Sequence, residues 1–153
     1  ISGGSPGRFA PYVDLYKRAA EQFGTTAYPV GVHSPGFIAR TDQEAIELFY
    51  PGYKVLRDRI GASRGWPPLQ ESEFLSEIER GSLYVGSPET VARKMTKAIL
   101  ALGVERFDLI YSLGGTMPMS DRLRAVELYG TEAVPLVRQM LAEQKRPLIE
   151  VAR

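Results

Sequence analysis

Apolar residues recur along most of this chain with the period of a helix, and short apolar runs separate the helical stretches. The clearest helix is predicted after Leu83-Tyr84-Val85, where Gly86 ends an apolar run and Ser87-Pro88-Glu89 supplies an N-cap, a first-turn proline and an acidic residue. The run Arg106 to Ser112, after a glycine stop at Gly103, is typical of a buried strand. The pattern therefore predicts a helix that leads into a strand.

The beginning of the chain has the same order of signals. Ile1-Ser2 has the character of a strand end, Gly3-Gly4-Ser5-Pro6 follows, and a helix is predicted from Arg8 to Phe23. This helix is amphipathic, and we expect it to bury an aromatic face that includes Tyr12 and Tyr16. Strand, glycine, Ser-Pro and helix in that order are typical of β/α units on a parallel sheet.

Further elements fit this interpretation. Tyr28 to His33 is predicted to be a strand that Ser34-Pro35-Gly36 interrupts, and Thr41-Asp42-Gln43-Glu44 matches a capping box at the start of a helix. Ser120-Asp121 is predicted to cap a later helix. Clear strands begin at Ile1, Tyr28 and Phe107, with Leu83 to Val85 as a fourth candidate. The predicted fold class is α/β, the C-terminal portion of a (β/α)8 barrel, because a closed barrel needs eight strands and typically about 250 residues.

Composition excludes several classes of protein. The 153 residues, 44% of them hydrophobic, suit one domain, which we place at residues 1–143 with a tail at 144–153. A net charge of +1 gives no field that argues for nucleic acid or an anionic membrane surface. No apolar run approaches the roughly 20 residues of a membrane span, and no secretion signal is evident, so we expect a cytoplasmic protein. Because the chain starts at Ile1 without a methionine, cap or polar tail, we also expect a fragment of a larger protein.

The residue inventory limits the chemistry. There is no cysteine, which excludes disulfides, thiolate metal ligands and cysteine nucleophiles. The single histidine, His33, excludes a zinc site built from several imidazoles, so no metal is expected. His33 is placed by the predicted strand at a carboxyl end, where barrel enzymes keep their active sites, and it is the one catalytic candidate. A hydrogen-bonded histidine at a strand end is the alternative.

The turn Gly3-Gly4-Ser5 is the strongest candidate for a binding site. Glycines let backbone N–H groups approach a phosphate, and the positive end of the following helix favours an anion. Ser5 can donate its hydroxyl, and Arg8 can add positive charge. A tight turn followed by a helix cap is the alternative, and for Gly86-Ser87 the capped helix is the favoured interpretation. Gly114-Gly115-Thr116 is a further candidate, as a lid or a second anion contact.

These residues also carry a family likeness. Five motifs resemble the C-terminal part of luciferase-like flavin-dependent monooxygenases: Ile1 to Pro6 followed by Arg8 to Pro11, Tyr16 to Ala19, the strand ending Val32-His33, the turn Val85-Gly86-Ser87-Pro88-Glu89, and Gly103 through Phe107-Asp108-Leu109. The ending from Glu127 to Arg138 is similar to the same family, so the likeness spans residues 1–143. It implies a (β/α)8 barrel that uses reduced FMN or, in some branches, the deazaflavin F420, with the flavin phosphate at Gly3, Gly4, Ser5 and Arg8.

The resemblance leads to one main hypothesis and one alternative. The main hypothesis is a fragment of a flavin-dependent oxidoreductase that acts with oxygen on a small organic substrate and is inactive without the missing N-terminal half. The alternative is a non-catalytic α/β half-barrel that binds or interacts. A half-barrel would expose strand edges and an apolar inner face, so we expect a homodimer or other self-association through those edges.

Overall fold

Three parallel strands organise the part of the chain that the computed structural model describes, residues 5–111 and 117–144. In chain order the elements are α1 (Pro6–Gln22), β1 (Gly31–Ile38), α2 (Asp42–Ala62), α3 (Glu71–Glu79), β2 (Tyr84–Gly86), α4 (Pro88–Leu102), β3 (Arg106–Ile110), α5 (Met119–Leu128), a π-helical turn (Tyr129–Ala133) and α6 (Val134–Gln144). The predicted class, α/β with parallel strands as part of a barrel, is confirmed. The predicted strand at Ile1 and the tail from residue 145 lie outside the described residues.

The strand order is β2-β1-β3, with β1 in the centre. In a closed barrel each strand pairs with the strands before and after it in the chain. Here β3 pairs with the first part of β1, with Gly31 opposite Arg106, while β2 pairs with its last part, with Ile38 opposite Gly86. Strands β3 and β2 therefore pair with different parts of β1, and β1 pairs with β3 although β2 lies between them in the chain.

Helices cover both faces of this sheet. Phe37 and Val85 point to one face and pack in a cluster with α2, α3 and α5, whereas Ile38 and Tyr84 point to the other and pack with α4 and α6. Phe49 of α2, fully buried, stacks on Phe37 with ring centroids 6.0 Å apart. The apolar inner face expected to be exposed is therefore covered only in part: Phe37 and Val85 are buried, whereas His33, on the same face of β1 as Phe37, is exposed and no residue of β3 is fully buried.

The predicted interruption of β1 after His33 is wrong. The strand runs through Ser34-Pro35-Gly36 to Ile38, so His33 is its third residue. Pro35 lacks an N–H and pairs with β3 only, because the ladder between β1 and β2 begins at the next residue, Gly36. A proline is tolerated at such an edge position of a ladder. Gly36 is required by packing, since a Cβ at that position would lie 2.4 Å from Leu109 Cδ1 and from the Tyr84 carbonyl oxygen.

The prediction that α1 buries an aromatic face is also wrong. Val13 and Ala20 are its buried residues, whereas Tyr12 is 65% exposed and Phe23 is 75% exposed. The buried stripe of α1 is narrow because the helix packs mainly against α4, through Val13 and Leu102. An apolar surface rich in aromatic rings therefore remains in contact with water.

One predicted helix boundary changed. Helix α2 runs through Pro51 without a break, from Asp42 to Ala62. Helix α5 begins at Met119 after Pro118 and not at a Ser120-Asp121 cap. Beyond it the chain stays helical through a π-helical turn, which ends at Ala133, two residues before Pro135. Proline cannot donate a backbone hydrogen bond and its ring crowds the preceding turn, so the helix widens there rather than ending.

Candidate functional site

The carboxyl ends of β1 and β2 lead directly into helix N-termini, and this edge of the sheet is the candidate site. Ala39 and Arg40 connect β1 to α2, and Ser87 connects β2 to α4. Parallel strands place these connections at the same edge, where open α/β folds and barrels bind their ligands. The same edge receives Tyr111 at the end of β3.

Each of these two helices begins with the cap that the sequence predicts. The Thr41 hydroxyl accepts a hydrogen bond from the Glu44 backbone N–H at 3.1 Å, and the Glu44 carboxylate accepts one from the Arg40 N–H at 3.0 Å. The Ser87 hydroxyl accepts from the Thr90 N–H at 3.3 Å. Both predicted caps are confirmed, with the refinement that Glu44 reaches the residue before the N-cap.

Asp42 joins the two helix starts. One carboxylate oxygen accepts a hydrogen bond from the Ser87 backbone N–H at 2.6 Å, and the other accepts one from the Thr90 hydroxyl at 2.9 Å. Burial acts to raise the pKa of Asp42, but hydrogen bonds from Ser87 and Thr90 and the charge of Arg93 outweigh it and hold the pKa below its usual value. The carboxylate takes the place of an external anion at the N-terminus of α4, so Gly86-Ser87 is a capped helix start.

Gly86 makes this close approach possible. Its φ is +153°, a conformation that side chains rarely adopt, and a Cβ would lie 2.7 Å from Asp42 Oδ1. Glycine at this position therefore serves the contact between α2 and α4 rather than an external ligand.

Ion pairs extend the network along this edge. The Arg40 guanidinium donates to the Glu132 carboxylate at 2.6 Å. In a second pair, Arg124 Nη1 lies 4.0 Å from the Glu44 carboxylate. Arg40 and Arg124 are mostly exposed, so each pair contributes little to stability. Glu132 belongs to the π-helical turn, which thereby meets the end of β1.

Two of the four predicted flavin-binding residues lie in the described part of the chain. Ser5 is the N-cap of α1, with an extended backbone and no capping hydrogen bond from its side chain, and Arg8 is exposed on the first turn. Arg8 forms no ion pair within residues 5–111 and 117–144. The first turn of α1 has no acidic residue, so these groups fit a phosphate. Gly3 and Gly4 lie outside the described residues.

His33 does not lie where the sequence placed it. It is exposed, near the amino end of β1 and opposite Asp108 of β3 in the strand register. Barrel active sites lie at the carboxyl ends of strands. Because β1 continues to Ile38, His33 does not lie at the carboxyl end where a catalytic residue was expected.

Two polar groups at the end of β3 were missed by the sequence analysis. The Tyr111 hydroxyl and Arg122 Nε are buried, and neither has a hydrogen-bond partner among the described residues. The sequence predicts Tyr111 only as part of the strand Arg106 to Ser112. The burial of a single side-chain atom depends on tertiary packing, so no local pattern in the sequence could have marked either group.

The other candidates have simpler explanations or cannot be located. Trp66 packs under two guanidinium groups, with Arg57 at 4.5 Å and Arg64 at 5.0 Å from the ring centroid. Gly114-Gly115-Thr116 lies outside the described residues. Within the described ranges, no helix is both long and apolar enough to cross a bilayer, and no group of three side chains is arranged to hold a metal ion.

Solved structures of flavin enzymes share this fold. The oxygenating constituent of 3,6-diketocamphane monooxygenase from Pseudomonas putida, a type II Baeyer-Villiger monooxygenase in complex with FMN, superposes with a TM-score of 0.64 at 19% identity, over 89% of this chain and 42% of that one. A monooxygenase from Streptomyces bottropensis gives 0.68 at 18% identity, over 85% and 38%. Coenzyme F420-dependent tetrahydromethanopterin reductase from Methanopyrus kandleri gives 0.56 at 18% identity, over 88% and 44%.

These comparisons confirm the fold expected from the resemblance to luciferase-like flavin monooxygenases. The chain spans about two fifths of the length of these solved structures. No protein-family profile matches the sequence, and no curated protein matches it.

Proposed function

We propose that this chain is part of a flavin-dependent monooxygenase that uses reduced FMN and oxygen on a small organic substrate, with the deazaflavin F420 as the alternative cofactor. The observation that carries the proposal is the fold that it shares over 89% of its length with an FMN-bound monooxygenase. The neighbouring enzymes are more than twice as long, so we propose that this chain alone is inactive. A reduced flavin supplies the electrons for oxygen activation. A cytoplasmic location, which the lack of cysteine fits, is part of this proposal.

The residues of this chain would bind and orient the flavin phosphate. We assign that role to Gly3, Gly4, Ser5 and Arg8, at the start of α1. The Ser5 hydroxyl is not used as a helix cap and Arg8 is exposed without a carboxylate partner in the described chain, so both can donate to a phosphate oxygen. The positive end of α1 adds to this attraction.

The test is a titration of the chain with FMN and with riboflavin, which lacks the phosphate, followed by flavin fluorescence. Arg8→Gln is expected to weaken FMN binding about three- to tenfold and to leave riboflavin binding unchanged, because it removes a charged phosphate contact. Ser5→Ala should weaken FMN binding by a smaller factor. The matched control is Arg18→Gln on the same helix, where Arg18 is paired with Asp14 at 2.8 Å.

Two outcomes would contradict the proposal in different ways. Equal loss of FMN and riboflavin binding in Arg8→Gln would mean that Arg8 does not contact the phosphate. Absence of any binding of FMN or F420 at millimolar concentration would favour the non-catalytic half-barrel, since nothing in the fold alone separates an enzyme from a binding module.

We also propose that the chain self-associates, as a homodimer, through the outer edges of β2 and β3. These are the edge strands of the described sheet, and exposed edges pair readily with other strands. Sedimentation velocity over a range of concentrations tests this. A single species at the monomer mass of 17.0 kDa throughout that range would exclude it.

A further inference from the structure

Helix α1 turns an uncharged side toward water, which we name the exposed face of α1. Its members recur at helical spacing: Phe9, Tyr12, Leu15, Tyr16, Ala19 and Phe23. The charged residues in the middle of the helix lie on the other side: Asp14, Lys17, Arg18 and Glu21. Most of the large side chains of this face are exposed, and Tyr28, which adjoins it, is 79% exposed. The face is therefore an apolar surface that the described residues leave uncovered.

The fold holds this face in place without burying it. Helix α1 packs on α4 through a neighbouring stripe, in which Val13 lies in one cluster with Leu102. On the exposed face, the Tyr16 hydroxyl accepts a hydrogen bond from the Tyr28 backbone N–H at 2.7 Å, which ties the segment after α1 to the helix. Because these groups are already ordered, covering them costs less side-chain entropy than covering a mobile surface does.

The area of this surface suits a protein partner. Together Tyr12, Leu15, Tyr16, Phe23 and Tyr28 expose roughly 500 Å², since a fully buried aromatic side chain covers about 150–250 Å². Monomeric proteins rarely expose a contiguous apolar patch of that size, and such patches mark interaction sites. A stable interface buries about 800 Å² on each partner, of which a polar rim forms part. The exposed residues around the rings can supply that rim.

The shape of the surface favours a second copy of this chain. A hollow of about 340 Å³ lies at Ala19, with Tyr16 and Phe23 among its lining residues. Tyr12 lies on the same face two helical turns earlier, and its ring is exposed. When two α1 helices pack antiparallel about a twofold axis between Leu15 and Tyr16, Tyr12 of each copy lies opposite Ala19 of the other. A twofold interface requires this reciprocity, because each copy must carry both the ring and the hollow that receives it.

We propose that the exposed face of α1 binds a second copy of this chain, with the helices antiparallel and each Tyr12 ring seated in the hollow at Ala19 of the other copy. The face lies on a helix, so it is separate from the outer edges of β2 and β3, and both contacts can form together. With both contacts the chain can close into an assembly of four copies, and with the α1 contact alone it forms a dimer. The inference does not rest on flavin binding.

Sedimentation velocity of the full chain over a range of concentrations is the first test. Tyr12→Lys should halve the mass of the assembled species whatever the state of the strand edges, because an ammonium group is costly to bury in an apolar hollow. Ala19→Trp should do the same by filling the hollow. Leu123→Lys, at an exposed apolar position of α5, is the matched control and should leave the mass unchanged. An unchanged mass in both α1 variants would overturn the proposal.

Cysteine cross-linking tests the antiparallel arrangement, since the chain has no cysteine of its own. A mixture of Tyr12→Cys and Ala19→Cys chains should form a disulfide-linked dimer on mild oxidation, because the two positions face each other across the axis. Either variant alone places its two cysteines farther apart and should cross-link far less. The control mixture combines Ala19→Cys with Asp14→Cys, since Asp14 lies on the charged side of α1. Stronger cross-linking of Tyr12→Cys with itself would overturn the antiparallel contact.

Titration with FMN separates this contact from the proposed flavin site. Tyr12→Lys should bind FMN as the unchanged chain does, because a phosphate at the positive end of α1 lies along the helix axis, whereas the second copy lies beside the helix. An unchanged chain that binds FMN but stays monomeric at every concentration would overturn the inference, leave the proposed function standing and assign the face to a different partner. An assembly that Tyr12→Lys dissociates, without FMN binding in either chain, would do the reverse.

Discussion

The carboxylate of Asp42 accepts a hydrogen bond from the Ser87 backbone N–H at 2.6 Å, although the two residues are 45 positions apart. This contact connects the first residue of α2 to the N-cap of α4, and the Thr90 hydroxyl reinforces it at 2.9 Å. The relative position of the two helix starts at the carboxyl edge of the sheet therefore depends on one side chain.

Asp42→Ala should destabilise the chain. The substitution leaves the Ser87 N–H without its carboxylate partner, and since Asp42 is exposed to water, we expect a loss of about 1–2 kcal/mol. Chemical denaturation monitored by far-UV circular dichroism measures it. Asp14→Ala, which removes an exposed ion pair within α1, is the control and should change the free energy of unfolding by less than about 0.5 kcal/mol. Equal effects of the two substitutions would contradict the prediction.

The contribution of Asp42 should also depend on pH. Its pKa in the folded chain is lowered from the ordinary 3.8, despite burial, by hydrogen bonds from Ser87 and Thr90. The unfolded chain therefore binds the proton more readily, and the stabilisation is complete above the unfolded pKa and is lost as pH falls through the folded pKa. The difference in free energy of unfolding between the unchanged chain and Asp42→Asn should shrink as pH falls below 3.8. A difference that stays constant from pH 6 to about pH 2.5 would refute this.

Lys94 should be a major contributor to stability. Its ammonium donates to the carbonyl oxygens of Glu77 at 3.0 Å and Leu83 at 2.7 Å, as well as to that of Ile78, and so it caps the C-terminus of α3 from α4. Burial lowers the pKa of Lys94 to about 8, so the group is still mainly charged at neutral pH. Lys94→Met should cost about 2–4 kcal/mol, because these carbonyls lose their shared donor.

The control for Lys94 lies on the same helix. Lys97 is exposed, and Lys97→Met should leave the unfolding midpoint nearly unchanged. Denaturant titrations at pH 7 compare the unfolding midpoints of Lys94→Met and Lys97→Met. Similar midpoints for the two would mean that the three carbonyls are satisfied by water in the absence of Lys94.

Two glycines should respond in opposite directions to the same substitution. Gly36→Ala would bring a Cβ to 2.4 Å from Leu109 Cδ1 and from the Tyr84 carbonyl oxygen, so we expect a loss of about 2 kcal/mol or more. Gly7→Ala meets no atom within 4 Å and lies in a helix, so a gain of about 0.5 kcal/mol is expected. Thermal unfolding of the two variants and of the unchanged chain measures both changes in stability. A neutral Gly36→Ala would mean that β1 and β2 separate more easily than their packing indicates.

Local signals in the sequence determined the helices and their caps. Thr41 with Glu44, and Ser87 with Pro88, act on backbone groups within a few residues, so their effect is visible without any tertiary contact. Gly103 adopts φ +58° and ends α4, as a glycine after a helical pattern predicts. The parallel α/β class followed from the order of these same elements.

Tertiary structure decided the rest, because the deciding partners are distant in sequence. Pro35 and Gly36 indicate a break when considered alone, yet β1 continues through them because β3 and β2 each pair with a different part of the strand. For the same reason, His33 lies within β1 and not at its carboxyl end. Asp42 caps the start of α4 only because the fold brings it to Ser87, which lies 45 positions away in the sequence. Such relationships depend on which surfaces meet in the folded chain, and no local pattern of residues encodes that.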